Sequence, residues 1–168
     1  MKKRVWMLAS LGVFCLAACS DKDKAGDAGT PEHPRVVAMI PKGTTHVFWQ
    51  SVHRGAQRAA QELGVELRWK GPLKENDRAQ QIQVVQQFIS EKVDGILLAP
   101  LDSRALLGPV REAGARGIPV AIFDSDLEGE PGKDFLSFIA TDNVQGGRLA
   151  GDKLAQLIDD HWVTLDKA

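Results

Sequence analysis

The sequence has very little cysteine. Only two of its 168 residues, Cys15 and Cys19, carry a thiol. The first lies within an apolar leader and the second lies at the end of that leader. The part of the chain that folds therefore contains no thiol for a disulfide, a structural zinc site or a nucleophile. We expect the fold to be stabilised by its hydrophobic core alone.

The sequence also lacks an excess of charge of one sign, and it lacks the common catalytic motifs. The chain has 21 basic and 22 acidic residues, a formal net charge of −1. A surface without a broad basic field is not expected to bind nucleic acid, and it suits a neutral small ligand better. No GxSxG, HExxH or CxxC motif occurs, and the four histidines are scattered. We therefore expect no enzyme activity, no metal site and no cofactor.

The N-terminal leader is the most specific signal in the sequence. Residues 2–4 are basic and residues 5–18 form an apolar run that is too short for a membrane span. The run ends in Leu-Ala-Ala-Cys, which resembles a bacterial lipobox. This pattern predicts removal of residues 1–18 and lipidation of Cys19, which would anchor the chain to a membrane of the cell envelope. Ser20 then indicates the outer membrane in a Gram-negative host. The alternative is an ordinary signal peptide with an incidental cysteine.

After the leader, a polar segment precedes an alternation of strands and helices. Residues 19–34 contain glycine, proline and charge without apolar periodicity, which is typical of a flexible tether. Apolar runs then predict strands at 35–40, 65–70, 95–99, 118–123 and 135–140. Helical periodicity predicts helices at 47–63, 77–92, about 103–116 and 143–160. This order predicts an α/β fold with a parallel sheet covered by helices on both faces.

Aromatic residues follow the first predicted strand. In parallel sheets, ligands bind outside the carboxyl ends of the strands. His46, Phe48 and Trp49 lie at that end. Flat aromatic rings suit the C–H faces of a sugar, so we predict that these residues contact a ligand. The alternative is that both rings pack as core under the helix.

Acidic residues follow three later strands. Asp102, Asp124 and Asp142 come after the third, fourth and fifth predicted strands, and Ser125 follows Asp124. A carboxylate accepts two hydrogen bonds from vicinal hydroxyls, so we predict these four residues as ligand contacts. Helix capping is the alternative for Asp102, and it also applies to Asp142, which precedes Gly146 and Gly147 at a helix start.

Four stretches together resemble a known family. They are TTHVFWQSVHRGAQ, VDGILLAPLDS, GIPVAIFDS and FIATDNVQGGRLAGDKLAQ. These stretches resemble bacterial periplasmic sugar-binding proteins of the ribose-binding type, the soluble receptors of monosaccharide ABC importers. The same fold forms the effector domain of lactose-repressor-type regulators. The resemblance covers about residues 35–157. It implies the periplasmic binding protein type I fold, with two Rossmann-like lobes that hold the sugar between them.

The resemblance also implies roles for individual residues. Phe48 and Trp49 match the aromatic pair that flanks the sugar ring, and His46 matches a position often occupied by asparagine. Asp124 matches an aspartate that binds sugar hydroxyls. Ser125 stands where the ribose-binding pattern has an arginine. The identity of the sugar therefore does not carry over.

Compared with the family pattern, the chain ends early. We expect a signal peptide at 1–18, a tether at 19–34, a sugar-binding lobe at 35–126 and a truncated start of a second lobe at 127–168. Such a partial lobe is expected to leave an apolar face at residues 135–139 exposed.

The favoured function is a lipid-anchored solute-binding protein that delivers a monosaccharide or similar solute to an ABC permease. A ligand-sensing module for a chemoreceptor or sensor kinase, and a non-functional truncated fragment, remain open. The leader disfavours a cytosolic repressor, and no helix-turn-helix precedes the first strand.

Overall fold

The computed structural model describes the backbone of residues 33–165 and the side chains up to residue 159. Five parallel strands form one sheet in the order β2-β1-β3-β4-β5. The predicted parallel α/β fold is therefore confirmed. The predicted leader, the lipidation site Cys19 and almost all of the tether lie outside the described residues. The elements in chain order are β1 (Val36–Ile40), α1 (Val47–Leu63), β2 (Glu66–Trp69), α2 (Arg78–Ser90), β3 (Gly95–Leu98), α3 (Leu107–Ala115), β4 (Val120–Phe123), β5 (Phe138–Ile139) and α4 (Asn143–Leu165).

The core lies between the three central strands and the helices α2 and α3. Ala38, Ile40, Leu98 and Ile122 are fully buried, and the apolar residues of both helices pack around them. Burial alternates along β3 and β4, where every second residue is only half-buried. The sequence pattern had indicated strands buried on both faces. The short strands β3 and β4 instead bury one face completely and the other in part.

Backbone geometry sets the ends of two helices. Gly64 ends α1 with a φ of 65°, and its N–H donates to the carbonyl oxygen of Ala60. Glycine adopts this left-handed conformation without a steric cost. Helix α3 begins at Leu107, later than the predicted start near residue 103. Pro109 lies in its first turn, where the missing N–H has no acceptor within the helix.

Gln81 of α2 is buried, in contrast to Gln80 and Gln83 of the same helix, which are exposed. Its side chain is 0% exposed. The amide nitrogen donates to the carbonyl oxygens of Pro41 at 3.0 Å and Ala99 at 2.8 Å. The amide oxygen accepts from the N–H of Leu101 at 2.8 Å. The side chain thereby joins the chain segments that leave β1 and β3, and its three hydrogen bonds make burial of a polar group acceptable.

The fifth strand extends the sheet beyond the lobe boundary expected at residue 126. β5 contains only Phe138 and Ile139, and it pairs with β4. Leu136, Phe138 and Ile139 are exposed, as the sequence predicted, but Phe135 is 4% exposed and packs in the core. The prediction of an exposed apolar face over residues 135–139 is therefore wrong for Phe135, whose ring packs in the core and whose backbone forms an isolated bridge to Pro131.

Helix α4 is exposed along the part whose side chains are described. Its apolar side chains Leu149, Leu154, Leu157 and Ile158 are between 45% and 60% exposed. Among residues 33–165, no helix combines the length and the hydropathy that a membrane crossing requires.

Candidate functional site

The loops that follow the strands surround a cleft of about 470 Å³. Four of the seven residues predicted from the sequence as ligand contacts line this cleft: His46, Phe48, Trp49 and Asp124. Four further residues complete the lining: Lys42, Glu75, Thr141 and Asn143. The carboxyl ends of parallel strands meet at one edge of a sheet, which explains why segments distant in the sequence converge here.

The two adjacent aromatic residues occupy different environments. Trp49 is 1% exposed, whereas Phe48 is 47% exposed. Their rings meet edge to face with centroids 4.9 Å apart, and Trp49 makes a second such contact with Phe123 at 6.2 Å. The alternative of packing as core therefore holds for Trp49 and not for Phe48, and contact of either ring with a ligand stays a prediction. Trp49 packs as core behind the cleft, and Phe48 offers an exposed ring at its rim.

His46 has a local structural role at the start of α1. It is the N-cap residue, with extended backbone angles, and its Nδ1 accepts a hydrogen bond from the N–H of Phe48 at 3.1 Å. A side-chain acceptor at this position satisfies one of the free N–H groups of the first turn. The imidazole is exposed at the cleft.

Asp124 lies at the end of β4 in an unusual backbone conformation. Its φ is 65°, a left-handed value that aspartate tolerates better than most residues. Its N–H donates to the carbonyl oxygen of Ile139 at 2.9 Å, which links the ends of β4 and β5. Non-glycine residues in this region are enriched at functional sites. Asp124 is one of the residues that line the cleft.

A lysine and a serine surround the carboxylate of Asp124. Lys42 Nζ lies 2.9 Å from Asp124 Oδ2, and it also hydrogen-bonds Ser125 Oγ. Ser125 Oγ donates to the same Oδ2 at 3.2 Å. The side chains of Lys42 and Asp124 are 20% and 29% exposed, so each charge is partly removed from water and compensates the other. Both contacts with Asp124 use one carboxylate oxygen.

Three predicted ligand residues lie outside the lining of the cleft. One is Ser125, which hydrogen-bonds Asp124, and the others are Asp102 and Asp142. Asp102 accepts from the N–H groups of Ala105 at 2.8 Å and Arg104 at 3.0 Å, and it pairs with Arg78 at 2.9 Å. The hydrogen bond from Ala105, followed by that from Arg78, lowers the pKa of Asp102. Asp102 lines a separate cavity of about 400 Å³. Asp142 accepts from the N–H of Gln145 at 2.8 Å. The contact of Asp142 matches the helix-capping alternative. Asp102 instead caps the turn before α3, because the N-cap of that helix is Leu106.

The sequence interpretation did not single out Lys42, Glu75, Thr141 or Asn143. Lys42, Glu75 and Thr141 lie in loops between the predicted strands and helices, and Asn143 is the first residue of α4. A polar side chain shortly after a predicted strand is the signal that could have identified them. Within the residues whose side chains are described, no group of three His, Cys, Asp or Glu residues is arranged to hold a metal ion.

Comparison with known proteins assigns the family. Residues 37–165 match the family model described as "Periplasmic binding protein domain". The chain is 34% identical to the D-ribose/D-allose-binding protein of Pseudomonas aeruginosa, over 92% of this chain and 50% of that protein. It is 30% identical to the ribose import binding protein of Bacillus subtilis, again over 92% of this chain and 50% of that protein. The chain thus spans about half the length of these curated relatives.

Solved structures give the same result. A carbohydrate transporter solute-binding protein from Agrobacterium radiobacter, in complex with D-arabinose, superposes with a TM-score of 0.66 at 37% identity, over 76% of this chain and 42% of that one. An ABC transporter solute-binding protein from Agrobacterium vitis with bound D-fucose gives 0.66 at 38% identity, over 72% and 42%. Sequence and fold agree, and the chain belongs to the periplasmic binding protein domain family.

Proposed function

We propose that this chain binds a neutral monosaccharide at the Phe48–Asp124 cleft, as part of a solute-binding protein that serves an ABC importer. One observation carries the proposal. The exposed ring of Phe48 and the carboxylate of Asp124 line the same cleft at the ligand-binding edge of the sheet. An apolar ring face and a hydroxyl acceptor are the two features that a sugar ring requires.

The polar lining suits a ligand rich in hydroxyl groups. The second oxygen of Asp124 remains available to accept from a hydroxyl, because the contacts with Lys42 and Ser125 use only Oδ2. Asn143 adds an amide. Lys42 is paired with Asp124, so Glu75 leaves the lining with a net negative charge. An anionic sugar acid would therefore meet repulsion.

The relatives support a sugar as the solute. Those with the matching fold are named for D-ribose and D-allose, or were solved with D-arabinose and D-fucose. Import, rather than sensing, is favoured because the Bacillus subtilis relative is named as an import binding protein. We expect binding without chemical turnover.

A thermal-shift panel tests this proposal. The purified chain is heated in the presence of D-ribose, D-allose, D-arabinose, D-fucose and D-glucuronate. A ligand that binds the native state stabilises it by about 2.7 kcal/mol at a hundred times its dissociation constant. At least one neutral sugar is expected to raise the melting temperature, and D-glucuronate is not. A panel in which no neutral sugar raises it would contradict the proposal.

We also propose that Cys19 is lipidated and holds the protein at the cell envelope. The support is the basic start, the short apolar run and the Leu-Ala-Ala-Cys ending. Expression with radiolabelled palmitate should label the wild type and a Cys15→Ser control, whereas Cys19→Ser should remain unlabelled and leave the membrane fraction. In a Gram-negative host the labelled protein should fractionate with the outer membrane. Equal labelling of Cys19→Ser and wild type would exclude this anchor.

A further inference from the structure

The loop between β2 and α2 carries a residue whose position suggests a further role in ligand recognition. Glu75 lines the cleft, and its Oε1 accepts a hydrogen bond from the indole Nε1 of Trp49 at 2.6 Å. The side chain of Trp49 is almost completely buried. A buried indole N–H requires an acceptor, and an ionised acceptor gives a stronger bond than a neutral one.

The loop that carries Glu75 is attached to the loop after β1 by further contacts. Thr45 Oγ1 donates to the carbonyl oxygen of Leu73 at 2.9 Å, and Thr44 Oγ1 donates to that of Pro72 at 3.3 Å. Gly43 lies so close that a Cβ there would be 3.0 Å from Glu75 Cγ. These contacts hold the backbone of this loop beside the loop after β1, which keeps the carboxylate of the exposed Glu75 within hydrogen-bonding distance of the indole.

The indole of Trp49, which donates to Glu75, lies between two other aromatic rings at the cleft. Trp49 contacts Phe48 on one side and Phe123 on the other, each edge to face with an interplanar angle of 78°. Phe123 immediately precedes Asp124. A rotation of the indole would therefore disturb both the exposed ring of Phe48 and the strand end that presents Asp124.

We propose that Glu75 is a positioning residue for sugar recognition, because its hydrogen bond to Trp49 fixes the orientation of the aromatic group formed by Phe48, Trp49 and Phe123. This inference rests on the proposed sugar-binding function. Glu75 acts through Trp49 and not by direct contact with the sugar. Loss of the acceptor should therefore weaken binding without removing any group that touches the ligand.

The first test compares three substitutions in the full chain, with the sugar that gives the largest thermal shift among D-ribose, D-allose, D-arabinose and D-fucose as the probe. Glu75→Ala should weaken binding about tenfold, the effect of losing one charge-assisted hydrogen bond. Glu75→Gln should restore affinity to within about threefold, since its amide oxygen still accepts the indole proton. Lys74→Ala, an exposed neighbour in the same loop, is the control and should bind as the wild type does.

A double-mutant cycle separates positioning from direct contact. In a Trp49→Phe background the N–H donor is absent, so adding Glu75→Ala should change affinity less than about twofold. The same tenfold loss in both backgrounds would overturn the inference, because Glu75 would then act on the sugar itself. Unchanged affinity of Glu75→Ala in the wild-type background would overturn it as well.

A spectroscopic readout tests the structural part without any sugar. The ¹⁵N-indole resonance of Trp49, assigned by its loss in Trp49→Phe, should move strongly in Glu75→Ala and little in Glu75→Gln or Lys74→Ala. An unchanged Trp49 resonance in Glu75→Ala would overturn this inference and leave the proposed function intact. Failure of the wild type to bind any of the four sugars would instead overturn the proposed function, and this inference with it.

Discussion

The ammonium group of Lys42 lies 2.9 Å from the carboxylate of Asp124, although the two residues follow strands that are not neighbours. Strand β3 lies between β1 and β4, and two strand spacings separate these strands by about 10 Å. The lysine side chain therefore reaches across the end of β3 to meet the aspartate. This ion pair links the loop after β1 to the end of β4. It orients the carboxylate that we propose as a hydrogen-bond acceptor for the sugar.

We predict that Asp124→Asn weakens sugar binding about tenfold or more. Asparagine tolerates the left-handed φ of 65°, so the backbone should persist while the charged acceptor is lost. Isothermal titration calorimetry measures the change. Asp126→Asn is the matched control, since that exposed aspartate accepts only from the N–H of Leu127 among the described contacts. Equal affinities for Asp124→Asn and wild type would remove Asp124 from the site.

Phe48→Ala should weaken sugar binding by about three- to tenfold, the effect of losing one aromatic stacking contact. Because the ring is 47% exposed, the free energy of unfolding should fall only slightly. Val47→Ala serves as the control, since this neighbour is 66% exposed and does not line the cleft. If both variants bind equally well, Phe48 has no part in ligand stacking.

Gln81→Leu is expected to lower the free energy of unfolding by about 3 kcal/mol or more. The change leaves the buried carbonyl oxygens of Pro41 and Ala99 and the half-buried N–H of Leu101 without their partner. Each buried group left in this way costs about 1–3 kcal/mol. Urea unfolding of the folded chain measures the loss. The exposed Gln83→Leu on the same helix should be nearly neutral, and a similar loss in both variants would point to helix propensity rather than to the buried amide.

Asp134 predicts a pH dependence of stability. Hydrogen bonds from Arg111 and from the N–H of Glu130 lower its pKa from 3.8 to about 2 in the folded state. The unfolded chain therefore takes up this proton first as the pH falls. The stability advantage of wild type over Asp134→Asn should be complete above about pH 5 and should shrink between about pH 4 and pH 2. Urea midpoints across this range measure it, with the exposed Asp152→Asn as control. An advantage that does not depend on pH would contradict the assignment.

Several features could be predicted from the sequence because they follow from local patterns. Apolar runs of four to six residues predicted all five strands, and helical periodicity predicted α1 at residues 47–63. The position of Phe48 and Asp124 at one edge followed from the parallel arrangement. Strand β5 was shorter than predicted, because Phe135 turns into the core and leaves only Phe138 and Ile139 to pair with β4.

Long-range polar contacts could not be predicted in this way. Gln81 resembles its exposed neighbours in the sequence, and only the meeting of the β1 and β3 ends gives it buried partners. Glu75 and Lys42 are ordinary loop charges until Trp49 and Asp124 are placed beside them. Asp102 and Asp124 likewise both follow buried strands. One caps a turn and the other faces the cleft, a difference that depends on backbone angles.

The most direct test of the account is an NMR titration of the full chain with the sugar that gives the largest thermal shift. We expect saturable changes at the Trp49 indole and at the backbone amides of Asp124, Thr141 and Asn143. Amides near Lys92 and Gly117, which line a cavity elsewhere on the molecule, should stay unchanged. Saturable changes confined to Lys92 and Gly117, with none at the Phe48–Asp124 cleft, would contradict the assignment of that cleft as a sugar site.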